Sequence, residues 1–266
     1  MSKVNKKVLE RIISGMKKYQ PILATAKSRD VGEADTVTII KDMLSEVFGY
    51  DKYHEITSEF AIRGTFCDLA IRLENKVSLL IEAKAIGLEL KEQHVKQAVD
   101  YAANQGVDWV LLTNGVSWRV YHLVFSKPID QELVIEFDVM TLSHKIQKDV
   151  ETLFLLCKEG WQKSALGEYH TQRQALSRFF VGAMLQTATV LDVIRRELRR
   201  VSPDVKIDSL EIKDVLVNEV IKREVLEGEK AAEAARKVSR AASKPLRAGT
   251  KAAGAVGLSS NTSETA

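Results

Sequence analysis

The sequence predicts a mixed α/β domain followed by a helical extension. Three observations carry this expectation. Apolar residues recur at helical spacing at Val4, Val8, Leu9, Ile12, Ile13 and Met16, and again at Val37, Ile40, Met43, Leu44 and Val47. Short apolar or alternating runs bounded by turn residues come next, the pattern of strands. Beyond about residue 140 such runs stop and helical spacing takes over.

The first stripe predicts a helix over residues 1–20, and the second predicts one from about Glu33 to Val47, ended by Gly49. Strands are expected at about 53–61, 66–74 and 77–84. A helix over about 90–105 directs Val95, Ala98, Val99 and Ala102 inward. "DWVLLT" and "VSWRVYHL" read as strands joined at Asn114-Gly115, a dipeptide suited to a hairpin turn. "ELVIEFDV" supplies one further strand. Helices are then expected at about 141–158, 171–186, 188–200 and 209–240, the last opened by Asp208 with Glu211 as a capping pair. From Ser243 onward the composition is Ala, Gly, Ser, Thr and Lys, with too little to bury, and predicts disorder. The expected division is therefore an α/β domain at 1–140, a helical extension at 141–242 and a tail at 243–266.

Composition narrows the class. The chain has 266 residues, 45% hydrophobic and 28% charged, with a net charge of +3. That balance fits a soluble globular protein and does not by itself mark a nucleic-acid binder. Basic residues nevertheless gather near both ends, at Lys3, Lys6, Lys7, Arg11, Lys17 and Lys18 and at Lys230, Arg236, Lys237, Arg240, Lys244, Arg247 and Lys251. Such clusters serve either as solvated faces or as phosphate contacts. Cys67 and Cys157 lie in apolar patterns without a CxxC partner, which argues against a disulfide framework and fits a reducing cytoplasm. No apolar run reaches membrane-spanning length, and the basic N-terminus leads into no signal-peptide core.

Residues 67–84, "CDLAIRLENKVSLLIEAK", carry the chemistry. Two apolar strands flank a polar turn, yet Asp68, Glu82 and Lys84 are charged. Strand alternation puts Glu82 and Lys84 on one face and Leu79, Ile81 and Ala83 on the other. An odd-numbered loop centred on Asn75 makes residue numbers across the pair sum to 150, so that Asp68 faces Glu82. A two-residue loop would turn them to opposite faces. Opposed carboxylates repel unless a cation sits between them. Mg²⁺ takes one or two carboxylates together with water and phosphate oxygens, and a neighbouring lysine offsets phosphate charge. This is equipment for hydrolysing a phosphodiester. Read without that chemistry, the three are strand-end charges reaching solvent.

These residues resemble the core of the PD-(D/E)xK nuclease superfamily, with Asp68 as the D and Glu82-Ala83-Lys84 as the ExK. The ordered segments "GEADTVTIIKDMLSEVFGYD", "ITSEF", "D…IEAK" and "LLTNGVSWRVYHL" resemble, over about residues 30–125, the N-terminal nuclease domain of type I restriction enzyme R subunits. The resemblance implies a restriction-endonuclease-like α-β-β-β-α-β core and an Mg²⁺- or Mn²⁺-dependent cytoplasmic endonuclease acting on DNA. Glu33 would then join Asp68 and Glu82 as metal ligands, with the Ala83 carbonyl beside them, and Lys84 would be the catalytic lysine. Gln97 and Tyr101 resemble a Q-x-x-x-Y element that contacts the DNA backbone or holds the lysine. Arg63, Lys91, His94 and Lys96 are further candidates for phosphate contact. No Walker-type phosphate loop is present, so the expectation is a form without the motor, acting alone, as a homodimer, or with restriction-system or motor subunits. The alternative is a non-catalytic nuclease-fold module that binds DNA or assembles with partners. The helical extension, with Arg195, Arg196, Arg199 and Arg200 gathered on about one face, is expected to pack in cis or to track DNA.

Overall fold

The structure is a computed structural model and describes residues 4–62, 65–125 and 129–242. The disorder expected over 243–266 and the phosphate contact expected of Arg63 lie outside the described residues.

Helix α1 (Lys6–Ser28) is opened by Asn5, whose side chain accepts from the Lys7 N–H. It runs eight residues past the expected end, straight through Pro21. Proline in a helix interior costs about 3 kcal/mol. Here the ring lies on the exposed side, while Leu23 and Ala26 prolong the buried stripe of Val8, Ile12, Met16 and Tyr19. Burial of that stripe outweighs the lost hydrogen bond. Helix α2 (Glu33–Glu46) buries Thr36, Ile40, Met43 and Leu44.

Among the described residues six strands form one sheet: β1 (Ile56–Ile62), β2 (Thr65–Leu73), β3 (Lys76–Ala83), β4 (Trp109–Thr113), β5 (Ser117–Val124) and β6 (Asp130–Asp138). Their spatial order equals their chain order. All pairs are antiparallel except β3–β4, which is parallel and needs the crossover helix α3 (Glu92–Gln105). The mixed α/β class read from the sequence is the class observed.

The sheet separates two cores. Leu69, Ile71, Leu79, Ile81, Leu111, Trp118 and Val120 pack with α1 and α2. Cys67, Ala70, Leu80, Val110, Leu112, Tyr121 and Leu123 pack with Val95, Ala98 and Ala102 of α3. The first core draws on residues beyond 140 as well. Helix α4 (Gln147–Phe154) and the turn after it supply Val150, Leu153, Phe154, Leu155, Leu156 and Cys157. Lys158 N–H donates to the Phe48 carbonyl at 2.9 Å, and Tyr50 donates its hydroxyl proton to the Leu156 carbonyl at 2.9 Å. The chain accordingly divides after Gln172 rather than at 140, because residues 141–172, with α5 (Lys158–Gln162) and most of α6 (Ala165–Ala175), complete the α/β core.

The second unit starts at Arg173. It holds α7 (Arg178–Leu185), α8 (Ala188–Val201), α9 (Ser209–Val215), α10 (Arg223–Leu226) and α11 (Glu229–Ala242). The single helix expected over 209–240 is broken. A π turn at Leu216–Val220 leads into extended backbone at Ile221, and Gly228 takes φ +88° before α11. The expected cap is present: Asp208 accepts from the Leu210 N–H, and the Asp208 N–H donates to Glu211.

Candidate active site

Asp68 and Glu82 do meet, by a route other than the expected one. The β2–β3 turn is two residues, Glu74-Asn75, both at positive φ (51° and 62°), as a type I′ turn requires. Its flanking pairs, Leu73↔Lys76 and Arg72↔Val77, sum to 149, not 150. A bulge then leaves Ser78 unpaired on β3, and from Ile71↔Leu79 through Leu69↔Ile81 the sum is 150. Extending that register by one step sets Asp68 against Glu82. The odd loop is therefore corrected to an even loop plus one bulge, which restores the side-chain phase.

Both acids lie on the α3 side of the sheet, in phase with Ala70 and Leu80. Asp68 Oδ2 accepts from the Ala83 N–H at 2.7 Å, clamping it to the end of β3. Glu82 is 5% exposed. Its Oε1 accepts from Lys84 Nζ at 2.7 Å, while its Oε2 is buried with no hydrogen-bond partner among the described residues. Glu33, the first residue of α2, brings Oε2 to 3.7 Å from the same ammonium. Four charged groups from α2, β2 and the end of β3 thus converge, with Lys84 between two of the acids.

Burial raises the Glu82 carboxyl above its usual range; the Lys84 hydrogen bond opposes this, and the Asp68 and Glu33 charges add to it. Burial works to lower the Lys84 ammonium, but Glu82, Asp68 and Glu33 together outweigh it and raise its pKa. Lys84 is held charged. Cys67 lies alongside, its thiol pushed up to about 12 by burial and then by Glu82 and Asp68, which makes it no thiolate nucleophile at neutral pH.

The other candidates separate. Tyr101 is 5% exposed in the core beneath α3. Gln97 lies on α3, and its side chain is outside the described residues. His94 accepts the Lys91 N–H at 3.1 Å at the start of α3, so its ring serves the helix end. In the second unit, Arg195 pairs with Asp192, and Arg196 and Arg200 both pair with Glu197. Arg199 donates to the Ile207 carbonyl at 3.3 Å. Two acids of the same helix thus offset about half of the charge of the four arginines. A cleft of about 240 Å³, lined in part by Trp109, Trp161 and Ser164, lies at Lys76–Ser78, the other end of β3 from the acids.

The segment after Lys84 is held by residues whose part is not legible in the sequence. Lys84 N–H donates to the Thr113 carbonyl at 2.9 Å, continuing the parallel ladder. Thr36 Oγ1 accepts from the Ile86 N–H at 3.1 Å and donates to the Gly32 carbonyl at 2.9 Å. Asn114 Nδ2 donates to the Leu88 carbonyl at 2.9 Å and reaches the Ile86 carbonyl at 3.4 Å. Its Oδ1 accepts from the Val116 and Ser117 N–H groups at 3.1 and 2.7 Å. The Asn-Gly pair does mark the β4–β5 hairpin; only Gly115, at φ +82°, takes left-handed backbone there.

The hairpin thus carries an aspartate on β2 and a glutamate near the end of β3, with a lysine just after it. Residues 39–135 match the family of the type I restriction enzyme R protein N terminus, and that stretch carries β1 to β5, part of β6, α3 and three of the four charged residues. The comparisons with curated proteins and with solved structures gave no match.

Proposed function

We propose that the α/β unit is a divalent-metal-dependent nuclease domain of a restriction system, hydrolysing phosphodiester bonds in DNA. The family match supports a restriction-system role. The observation that carries the chemistry is the convergence of Asp68, Glu82 and Lys84, with one Glu82 oxygen buried and unpartnered among the described residues. A buried bare carboxylate oxygen costs free energy unless a cation or donor meets it.

Asp68 and Glu82 form an all-oxygen donor set that suits Mg²⁺ or Mn²⁺. Among the described residues no three His, Cys, Asp or Glu side chains are gathered as a metal cluster. Two carboxylates with waters and phosphate oxygens suffice for Mg²⁺. Glu33, at the rim, would hold a metal-bound water or join as a third ligand. A bound cation would supply Lewis acidity at the phosphoryl oxygen and a nucleophilic water. Lys84 presents a fixed ammonium to the scissile phosphate, where negative charge grows as the bond breaks. For Gln97 and Tyr101 the proposal rests on the resemblance alone: contact with the DNA backbone, or holding the lysine. Restriction-system subunits are the proposed partners and the cytoplasm the proposed location; among the described residues no helix is long and apolar enough to cross a membrane.

The test is cleavage of supercoiled and linear DNA with Mg²⁺ or Mn²⁺. Asp68→Ala and Lys84→Ala should each lower the rate by about 100-fold or more, with folding intact by circular dichroism. A second reading has its own support: Lys84 already occupies one Glu82 oxygen, the arrangement of a closed ion pair in a non-catalytic DNA-binding module. DNA binding without cleavage in either metal, with or without partner subunits, would establish that reading instead.

A further inference from the structure

We infer that Thr36 and Asn114 are positioning residues, which set Lys84 and Glu33 against the paired acids by fixing the chain segment 86–88; this rests on the proposed nuclease activity. Lys84 lies one residue past β3, and its N–H bond to the Thr113 carbonyl is the last of the ladder, so the course of the chain beyond it is set by other contacts. The backbone beyond Lys84 is tied from two sides. From α2, the Thr36 hydroxyl takes the Ile86 N–H and returns its own proton to the Gly32 carbonyl, the residue just before Glu33. One hydroxyl therefore couples the helix start that carries Glu33 to the segment that leaves Lys84. From the β4–β5 turn, the Asn114 carboxamide divides its four hydrogen bonds: its oxygen closes the turn, and its nitrogen holds the Ile86 and Leu88 carbonyls. Thr36 is fully buried and Asn114 is 7% exposed, so water cannot replace either set. Arg119 continues the tether by donating to the Leu90 carbonyl at 2.8 Å.

This geometry separates two contributions. Thr36→Val keeps shape and removes the hydroxyl; Thr36→Ser keeps the hydroxyl. Asn114→Asp keeps the turn-closing oxygen and loses both donors to the segment. Displacing a reacting group by about 1 Å costs on the order of 100-fold in rate. For the full-length protein, assayed well below the melting temperature of every variant, Thr36→Val and Asn114→Asp should lower kcat by about 10- to 100-fold. KM for DNA should stay within about two-fold, and Thr36→Ser should recover most of kcat. Wild-type kcat in Thr36→Val and Asn114→Asp, whatever their melting temperatures, would overturn the inference and leave both residues structural. An inactive wild type would instead remove the nuclease reading. The Mn²⁺-induced rise in melting temperature then decides: a rise in wild type and Thr36→Ser but not in Thr36→Val supports positioning, and equal behaviour in all three overturns it.

Discussion

Glu82 is raised because it is buried before it is anything else, and that has a measurable sign. Its folded pKa lies above the unfolded value, so the folded state favours the proton. The stability this contributes is present in full below the ordinary value of 4.5 and is lost as pH rises through the raised one. In metal-free buffer, wild type should lose melting temperature relative to Glu82→Gln as pH climbs through that window. Parallel curves would mean the carboxyl is not strained by burial. Added Mn²⁺ should raise wild type more than Glu82→Gln, since the glutamine removes a negative donor. Asp68, Glu82 and Lys84 stand out in sequence as charges on apolar strands, although the loop expected to bring the two acids together is not the one observed. The bracing role of Asn114 is not legible there. An Asn-Gly pair signals a turn, whereas the carbonyls its nitrogen serves, at Ile86 and Leu88, lie 28 and 26 residues away and belong to another part of the sheet.

At the scale of elements, the β2–β3 hairpin reaches its expected register through a compensation that no local pattern reveals. Turn length fixes phase only when both strands are regular, and Ser78 is the irregular residue. Its removal is informative. Deleting Ser78 takes out the unpaired residue and leaves Ile71 opposite Leu79, so Asp68 should still meet Glu82. Cleavage should remain within about ten-fold of wild type, well above the loss expected for a misplaced group. Abolished cleavage in a folded deletion would show that the bulge's added twist, rather than its register, aims Glu82. The C-terminal helices give the opposite lesson. The run from Ile212 to Val220 and Ile221 keeps helical spacing across the π turn, so apolar periodicity suggests one helix. The break arises in backbone hydrogen bonding, with Ile221 N–H donating to the Leu216 carbonyl at 2.7 Å. Likewise Pro21 marks an end to α1 that buried Leu23 and Ala26 override.

Across the whole chain, sequence pattern places a boundary where strands cease, but a domain ends where its core is covered. Arg11 shows the difference. Its guanidinium grips Glu159 through two nitrogens at 2.8 and 2.6 Å and reaches the Val47 carbonyl at 3.0 Å, joining α1, the end of α2 and α5. Glu159→Ala should destabilise the α/β unit by about 1–3 kcal/mol, because a half-buried cation loses its anion. Chemical denaturation checks this, and a change under about 0.5 kcal/mol, the level of an ordinary surface site, would mark the bridge as marginal. Six strands stacked in the order they occur in the chain have a further consequence, for synthesis. Every strand after β1 leaves the ribosome with a partner already made, and β4 reaches β3 once the crossover helix α3 has been synthesised. The stripe on α1 fares differently: part of its cover, Val150 to Leu166, emerges more than a hundred residues later. A nascent chain paused within the sheet therefore shows an oily ridge to the surrounding water, the kind of surface that chaperones grasp.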